Sequence, residues 1–342
     1  MILSLVAAMI AALVTIWVTP LVREWVQKRG VIDQPEARRV NVNPMPRAGG
    51  IAIFAGFAVA VVVALLVRQW RVTQKMPESP IVWTPQITGI LLATTLMAIV
   101  GLIDDFKNLS AKWQALAMIC AGLILVGFGV RIEGITNPLG WLQDGKVNVN
   151  EHWFPLGKAI SVIVTVLWVF IVTKTVDAID GVDGLASGVC AISAATLALM
   201  SSQIHTPEGP TLALLSAALA GACLGFLRHN YHPAKIIMGT IGAWVLGIVL
   251  ASISIMGAFK AAAVVSVLVP VLVLGVPIVD FSHVLARRAI ERAPLTQADK
   301  RHLHHRLLKR GWNDKQVVWF IYGITAIFCT CAMILFYAGR PN

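Results

Sequence analysis

Two short acidic runs lie where an apolar chain tolerates them least. Asp104 and Asp105 close GLIDDF, and Asp177, Asp180 and Asp183 follow at three-residue spacing in VDAIDGVDGLASG. The chain is 57% hydrophobic and 13% charged, and a carboxylate at a membrane edge is costly unless it binds something. Adjacent carboxylates ending a helix also oppose its dipole, so a cation or a proton must compensate them. The three-residue spacing predicts Asp177, Asp180 and Asp183 along one side of a helical turn, with Gly181 and Gly184 allowing close approach of backbone or ligand; a turn-rich loop is the plainer alternative. A second set of residues is basic: Arg47 ahead of Gly49-Gly50, Lys235 in RHNYHPAK, and His302, His304, His305 and Arg306 in ADKRHLHHRLLKRG. The local histidine spacing does not complete a zinc site, and phosphate contact suits it better. Carboxylates that can share a divalent cation, beside Arg and Lys that neutralise phosphate, are the chemistry of a polyanionic substrate.

The elements that must position these residues are membrane helices. Mean hydropathy is +0.77. Ten apolar stretches, near 2–22, 48–67, 85–103, 113–130, 157–173, 184–202, 209–227, 236–258, 262–284 and 317–338, are each close to the roughly twenty residues a spanning helix needs. We expect one all-α polytopic membrane domain over residues 1–342, a bundle of ten or eleven helices with no second, soluble domain. The first stretch lacks a basic leader and a small-residue cleavage site before Pro20, so it reads as a retained helix. Gly275 and Pro277, with Pro270, predict a bent or split ninth helix that places Asp280 at the interface. The five cysteines all fall within spans, as apolar packing residues.

The net charge of +11 invites a nucleic-acid reading, but the basic residues collect in short loops between helices. Loops after the odd-numbered spans hold twenty of the twenty-eight Lys and Arg, and the other side holds eight. The positive-inside rule makes the odd loops cytoplasmic, with both termini outside, and removes nucleic acid as a partner. Every candidate residue above lies on that cytoplasmic side. The loop 131–156 on the other side reads as a connector with a small hairpin around Asp144-Gly145.

Five segments in order, PRAGGIAIFAGF at 46–57, GLIDDFKNLSAKWQ at 101–114, DAIDGVDGLASG at 177–188, FLRHNYHPAKIIMG at 226–239 and ADKRHLHHRLLKRG at 298–311, resemble the polyprenyl-phosphate N-acetylhexosamine-1-phosphate transferases. The last segment resembles the branch that uses UDP-N-acetylglucosamine-like donors. The resemblance implies transfer of an N-acetylhexosamine 1-phosphate, GlcNAc 1-phosphate first, from a UDP-sugar to undecaprenyl phosphate. The products are a lipid diphosphate sugar and UMP, and the reaction is the first membrane step of a cell-envelope glycan. It further implies Mg²⁺ or Mn²⁺ as cofactor, a multi-pass place in the inner membrane with a cytoplasmic cleft open to lipid, and a homodimer as one form of the chain. Carried over residue by residue, Asp104 and Asp105 match the catalytic pair. Asp180 and Asp183 match the nucleotide pocket, and His302, His304, His305 and Arg306 the donor-phosphate motif, with Arg47 and Lys235 as further substrate-binding residues.

Two departures fall where the family places its metal. Asp177 stands where the family usually has Asn, and Thr240 where it has Asp after Met-Gly; Ala243 replaces a Ser, and Asn41 a frequent His. A hydroxyl is a poorer ligand for a hard cation than a carboxylate, so Asp177 is expected to take over the metal charge. The alternative is a catalytically impaired paralogue that binds lipid phosphate or nucleotide sugar as a regulator or scaffold. A transporter would carry mid-membrane charges and internal repeats, and the sequence has neither.

Overall fold

The computed structural model describes residues 2–33, 44–74, 81–136, 153–257, 271, 273–290 and 303–338. Its helices, in chain order, are α1 (Ile2–Lys28), α2 (Gly50–Thr73), α3 (Pro85–Lys107), α4 (Ala111–Gly127), α5 (Lys158–Ile179), α6 (Leu185–Ser201), α7 (Gly209–Asn230), α8 (Gly239–Met256), α9 (Gly275–Ile290), α10 (Leu303–Lys309) and α11 (Asp314–Ala338). Seven of them, α1, α2, α3, α5, α7, α8 and α11, are long and apolar enough to cross a membrane, and α4 and α6 are shorter apolar helices. The protein is an all-α, multi-pass membrane protein. Each of the ten apolar stretches contains helix over most of its described residues, with turns or irregular chain at several ends, as at 128–130 and 236–238. The start of the ninth, 262–270, is outside the described residues, and α9 begins at Gly275.

Helices α7 and α8 form the centre, with 83% and 94% of their apolar windows buried, against 22% for α1 and 39% for α2. The outer helices turn Leu13, Trp17, Leu66 and Ile163 outward, as a lipid-facing surface requires. Water cannot satisfy the backbone there, so each segment must bond its own amides, which helix alone does for a single span. Helix α7 packs against α1, α2 and α6, and α8 against α3 and α5. Lipid supplies no hydrophobic drive between helices, so contact depends on close approach of backbones at small residues. Gly221 and Gly225 of α7, one turn apart, face the carbonyls of Ala8 and Ala12 on α1, and a methyl at Gly225 would lie 2.5 Å from the Ala12 oxygen.

Two small antiparallel ladders complete the fold. β1 (Ile32–Asp33) pairs with β2 (Met45–Pro46) in the register Ile32↔Pro46. β3 (Gly134–Thr136) pairs with β4 (Trp153–Pro155), with Ile135 opposite Phe154. The β3–β4 pair joins the two ends of the expected connector; the hairpin expected around Asp144-Gly145 lies outside the described residues.

Helices run further than the apolar stretches alone suggest. α3 continues through Asp104 and Asp105 to Lys107, and α5 continues to Ile179, so Lys174 and Asp177 are helical residues. The expected alignment of Asp177, Asp180 and Asp183 along one helical face is corrected: Asp177 is on α5, Asp180 is its C-cap, and Asp183 lies in the turn before α6. Gly184, at φ +77°, enters the left-handed region there and ends the continuity of the helix.

Candidate active site

One end of the bundle gathers the segment before α2, the ends of α3, α5 and α7, and the start of α8. The segments on either side of the α2 and α8 starts are bound backbone to backbone. Gly49 N–H donates to the Ile237 carbonyl at 2.9 Å, Gly50 N–H to the Met238 carbonyl at 2.8 Å, and Ile237 N–H to the Pro46 carbonyl at 2.9 Å. The approach that Gly49-Gly50 permits is therefore to the protein's own chain. Gly50 lies on the backbone of Gly242, and a methyl at Gly49 would fall 2.8 Å from the Ile237 oxygen.

Arg47 stands at the centre of this corner. Its Nε is 2.7 Å from Asp105 Oδ1, and its Nη2 donates to Thr240 Oγ1 at 2.9 Å. The same Nη2 is 3.9 Å from Asp104 Oδ2. This guanidinium is the cation that the carboxylate pair at the α3 C-terminus demanded. Asp105 has a second compensation, because its Oδ1 accepts from Thr240 N–H at 2.8 Å and its Oδ2 from Ile241 N–H at 3.2 Å. Its carboxylate thus caps the positive end of α8, where unpaired amides and the helix dipole both favour an anion. Gly239, at φ +74°, brings the α8 start close enough, and a methyl there would lie 2.6 Å from Asp105 Oδ2.

Asp104 is differently bound. Its Oδ1 accepts from Leu109 N–H at 2.9 Å and from Gln114 Nε2 at 3.0 Å, which holds the α3–α4 turn. Asn108 takes the left-handed conformation in that turn, at φ 49°. Oδ2 has only the distant guanidinium, among the described residues. Gln114 passes the connection on: its Oε1 accepts from Lys174 Nζ at 2.9 Å, and Lys174 Nζ also binds Asp177 Oδ2 at 3.0 Å. Lys174 Nζ lies 5.8 Å from the centre of the Trp244 ring. Gln114 and Lys174 were not singled out from the sequence. The signal for Lys174 was present, since Lys174 and Asp177 are three apart on what proves to be one helix.

The acidic turn is tied to its neighbours by other bonds. Asp183 Oδ2 accepts from Ala234 N–H at 3.0 Å and lies 3.1 Å from His232 Nδ1, and the same imidazole nitrogen is 3.5 Å from Asp314 Oδ2. Asn230 Oδ1 accepts from Gly184 N–H at 3.1 Å and from Ser187 Oγ at 3.2 Å, while its Nδ2 donates to the Ile236 carbonyl at 3.0 Å. Asp180 is half-buried at the end of α5. His304, buried on α10, lies against Gly181, its Nε2 2.8 Å from where a methyl would be. Asp280 on α9 accepts from Leu303 N–H at 2.6 Å and so anchors the start of α10. Arg306 and Lys235 are exposed. His302 and the His305 side chain are outside the described residues.

Placement of a divalent cation meets an obstacle here. The Asp177 oxygen is held by an ammonium, and Thr240 offers a neutral hydroxyl already held by Arg47. A divalent ion on Asp177 Oδ2 would lie about 5 Å from Lys174 Nζ, a repulsion of roughly 7 kcal/mol at an effective dielectric of about 20. Among the described residues no group of three or more His, Cys, Asp or Glu is arranged to hold a metal. Among the described residues, Asp177 and Thr240 as they are bonded here do not fit a divalent centre.

A family model described as "Glycosyl transferase family 4" matches residues 87–258, a segment running from α3 to the end of α8. The chain is 32% identical to "Probable undecaprenyl-phosphate N-acetylglucosaminyl 1-phosphate transferase" of Bacillus subtilis (strain 168), over 98% of this chain and 86% of that protein. It is 33% identical to "Decaprenyl-phosphate N-acetylglucosaminephosphotransferase" of Mycobacterium tuberculosis (strain ATCC 25618 / H37Rv), over 91% of this chain and 77% of that protein. A "Phospho-N-acetylmuramoyl-pentapeptide-transferase" of Synechococcus sp. (strain JA-3-3Ab) is 33% identical over 72% of this chain and 70% of its own length. With this span of similarity laid over the carboxylate corner and the acidic turn, the chain belongs to glycosyl transferase family 4.

Proposed function

We propose that the protein transfers N-acetylhexosamine 1-phosphate, with GlcNAc 1-phosphate the first choice, from its UDP-sugar to undecaprenyl phosphate. The whole chain is one polytopic catalytic domain. An oxygen of the lipid phosphate attacks the sugar-bearing phosphorus, the bond from that phosphorus to the bridging oxygen breaks, and UMP leaves. Chemistry of this kind is chiefly positioning and charge stabilisation.

The observation that carries the reading is the placing of two fixed cations around one carboxylate. Arg47 lies on one side of Asp104 at 3.9 Å, and Lys174 on the other, through Gln114. The free side of Asp104, at Oδ2, suits a carboxylate that orients or deprotonates the acceptor phosphate. Asp105, with both oxygens engaged, serves by fixing Arg47 and the start of α8. Asp177 orients Lys174. Asp180, Asp183 and the α10 residues His304, His305 and Arg306, with His302 and Lys235, are assigned to the nucleotide and donor phosphates. Relatives in this family join polyprenyl phosphate and amino-sugar phosphate, as their names state, which supports the substrate pair. The resemblance implies Mg²⁺ or Mn²⁺, but each step here is assigned to the protein's own groups, because the donor set does not fit the ion.

The test is a radiolabelled UDP-GlcNAc assay with purified full-length protein and undecaprenyl phosphate, run with Mg²⁺ and with EDTA. Label extracted into organic solvent in either buffer is the expected result. Absence of product in both buffers, with UDP binding retained, would establish the impaired paralogue instead.

The excess of basic residues in the odd loops supports a cytoplasmic position for this end of the bundle, in the inner membrane. Single cysteines at Lys107 and Lys309 in a Cys-less background should be shielded from an impermeant thiol reagent in intact cells, and one at Asp144 should label. The reverse pattern would overturn the orientation.

A further inference from the structure

The chemistry assigned to this site needs positive charge on the diphosphate, and the two positions at which the family places its metal hold Asp177 and Thr240. The structure fills both with other bonds. Thr240 Oγ1 accepts from Arg47 at 2.9 Å, and Asp177 Oδ2 is bound by Lys174 Nζ at 3.0 Å. Lys174 is not a solvated surface lysine. It is carried on α5 against α8, its side chain is 22% exposed, and Gln114 and Asp177 hold its ammonium from two directions. The fully buried Trp244 ring supports it at 5.8 Å. An ammonium has three N–H donors, and two are engaged by these described partners. Among the described residues no third partner is hydrogen-bonded to it, and its partial exposure leaves room for an anion.

We infer that the Lys174 ammonium replaces the divalent cation, binding a diphosphate oxygen of the donor directly, with Asp177 and Gln114 fixing its position. This rests on the functional reading above for the identity of the anion. It explains the pair of departures together: a carboxylate at 240 would serve a metal that is absent from the scheme, and a carboxylate at 177 serves the lysine. The protein then binds UDP without a divalent ion.

The test uses purified full-length protein in nanodiscs, with Mn²⁺ binding followed by electron paramagnetic resonance and UDP binding by titration calorimetry. Wild type should take up no stoichiometric Mn²⁺, and its UDP affinity should change by no more than about threefold between EDTA and Mn²⁺. Lys174→Asn should weaken UDP binding in EDTA by about tenfold or more, as for loss of a charged hydrogen bond, while Lys174→Arg stays within about fivefold of wild type. Lys174→Asn combined with Thr240→Asp should gain one Mn²⁺ site. One tight Mn²⁺ per wild-type chain, or loss of wild-type UDP binding in EDTA with recovery in Mn²⁺, would overturn the inference. If wild type bound UDP in neither buffer, the functional reading would fail by itself. The Mn²⁺ titration needs no nucleotide and would still decide: a site in the double variant but not in wild type upholds the replacement, and equal binding by both refutes it. Should the asparagine variants fail to fold, the wild-type Mn²⁺ and EDTA results decide alone.

Discussion

The corner between α3 and α8 and the turn between α5 and α6 each hold one carboxylate tightly by backbone amides and a second one that also engages side chains: Asp104 binds Leu109 N–H and Gln114, and Asp177 binds Lys174. At the corner, Asp105 is taken up by two amides of α8 and by Arg47, whereas Asp104 Oδ2 has, among the described residues, only the Arg47 guanidinium 3.9 Å away. At the turn, Asp183 is bound to Ala234 N–H and His232, whereas Asp177 holds Lys174 from the α5 helix. The regions differ in burial. At the corner the side chains of Asp105 and Asp104 are 0% and 5% exposed, and at the turn those of Asp183 and Asp177 are 7% and 28% exposed. Backbone amides at a helix start or a turn cannot move away from a carboxylate, so they make a stable anchor. A carboxylate or ammonium held only by other side chains can exchange partners when substrate arrives. An acidic cluster in a membrane protein is therefore not one functional unit, even when its residues are adjacent.

The division can be broken most severely at Asp105. Asp105→Asn presents an amide NH₂ to a donor whichever way it turns and leaves Arg47 without its closest anion, so we expect about 3–5 kcal/mol of destabilisation. Thermal unfolding in detergent would measure it, and a melting temperature equal to wild type would refute the anchoring role. Asp104→Asn is the counterpart: one oxygen can still accept from Leu109 and Gln114, so the fold should survive. Turnover should nevertheless fall by about a hundredfold or more in the radiolabelled assay; activity within a few-fold of wild type would merge the two carboxylates into one structural role. Asn230→Ala removes the link between the acidic turn and the α7–α8 connection and leaves buried groups unpaired. A loss of about 1–3 kcal/mol is expected, with the UDP affinity of the surviving folded fraction unchanged. The smallest effect is expected at Lys235, which is exposed: Lys235→Gln should alter stability by less than about 0.5 kcal/mol and raise the KM for the UDP-sugar; an unchanged KM would remove Lys235 from the donor site.

Much of this arrangement was legible before any coordinates. Apolar stretches of spanning length located the helices, because a bilayer admits few other solutions for a single segment. The need for a cation beside Asp104 and Asp105 followed from the dipole of the helix they end, and Arg47 in PRAGG was already a candidate. The glycines of that motif were legible as a place of close approach, but the partner was not. Only the crossing of α2 and α8 makes it Gly242.

What the sequence by itself determined is the class of the protein, the places of its apolar helices, and the short list of charged residues gathered between them. Those properties depend on local hydrophobicity and residue type, which are readable along the chain. Tertiary structure alone decided which carboxylate has both oxygens engaged at 2.7–3.2 Å and which has one, that Gln114 and Lys174 join Asp104 to Asp177, and that Thr240 faces a guanidinium. A residue's role here is set by the groups that come within about 3 Å of its oxygens, the range of a hydrogen bond. Those groups come from segments as far apart as Arg47 and Thr240, 193 positions away in the chain.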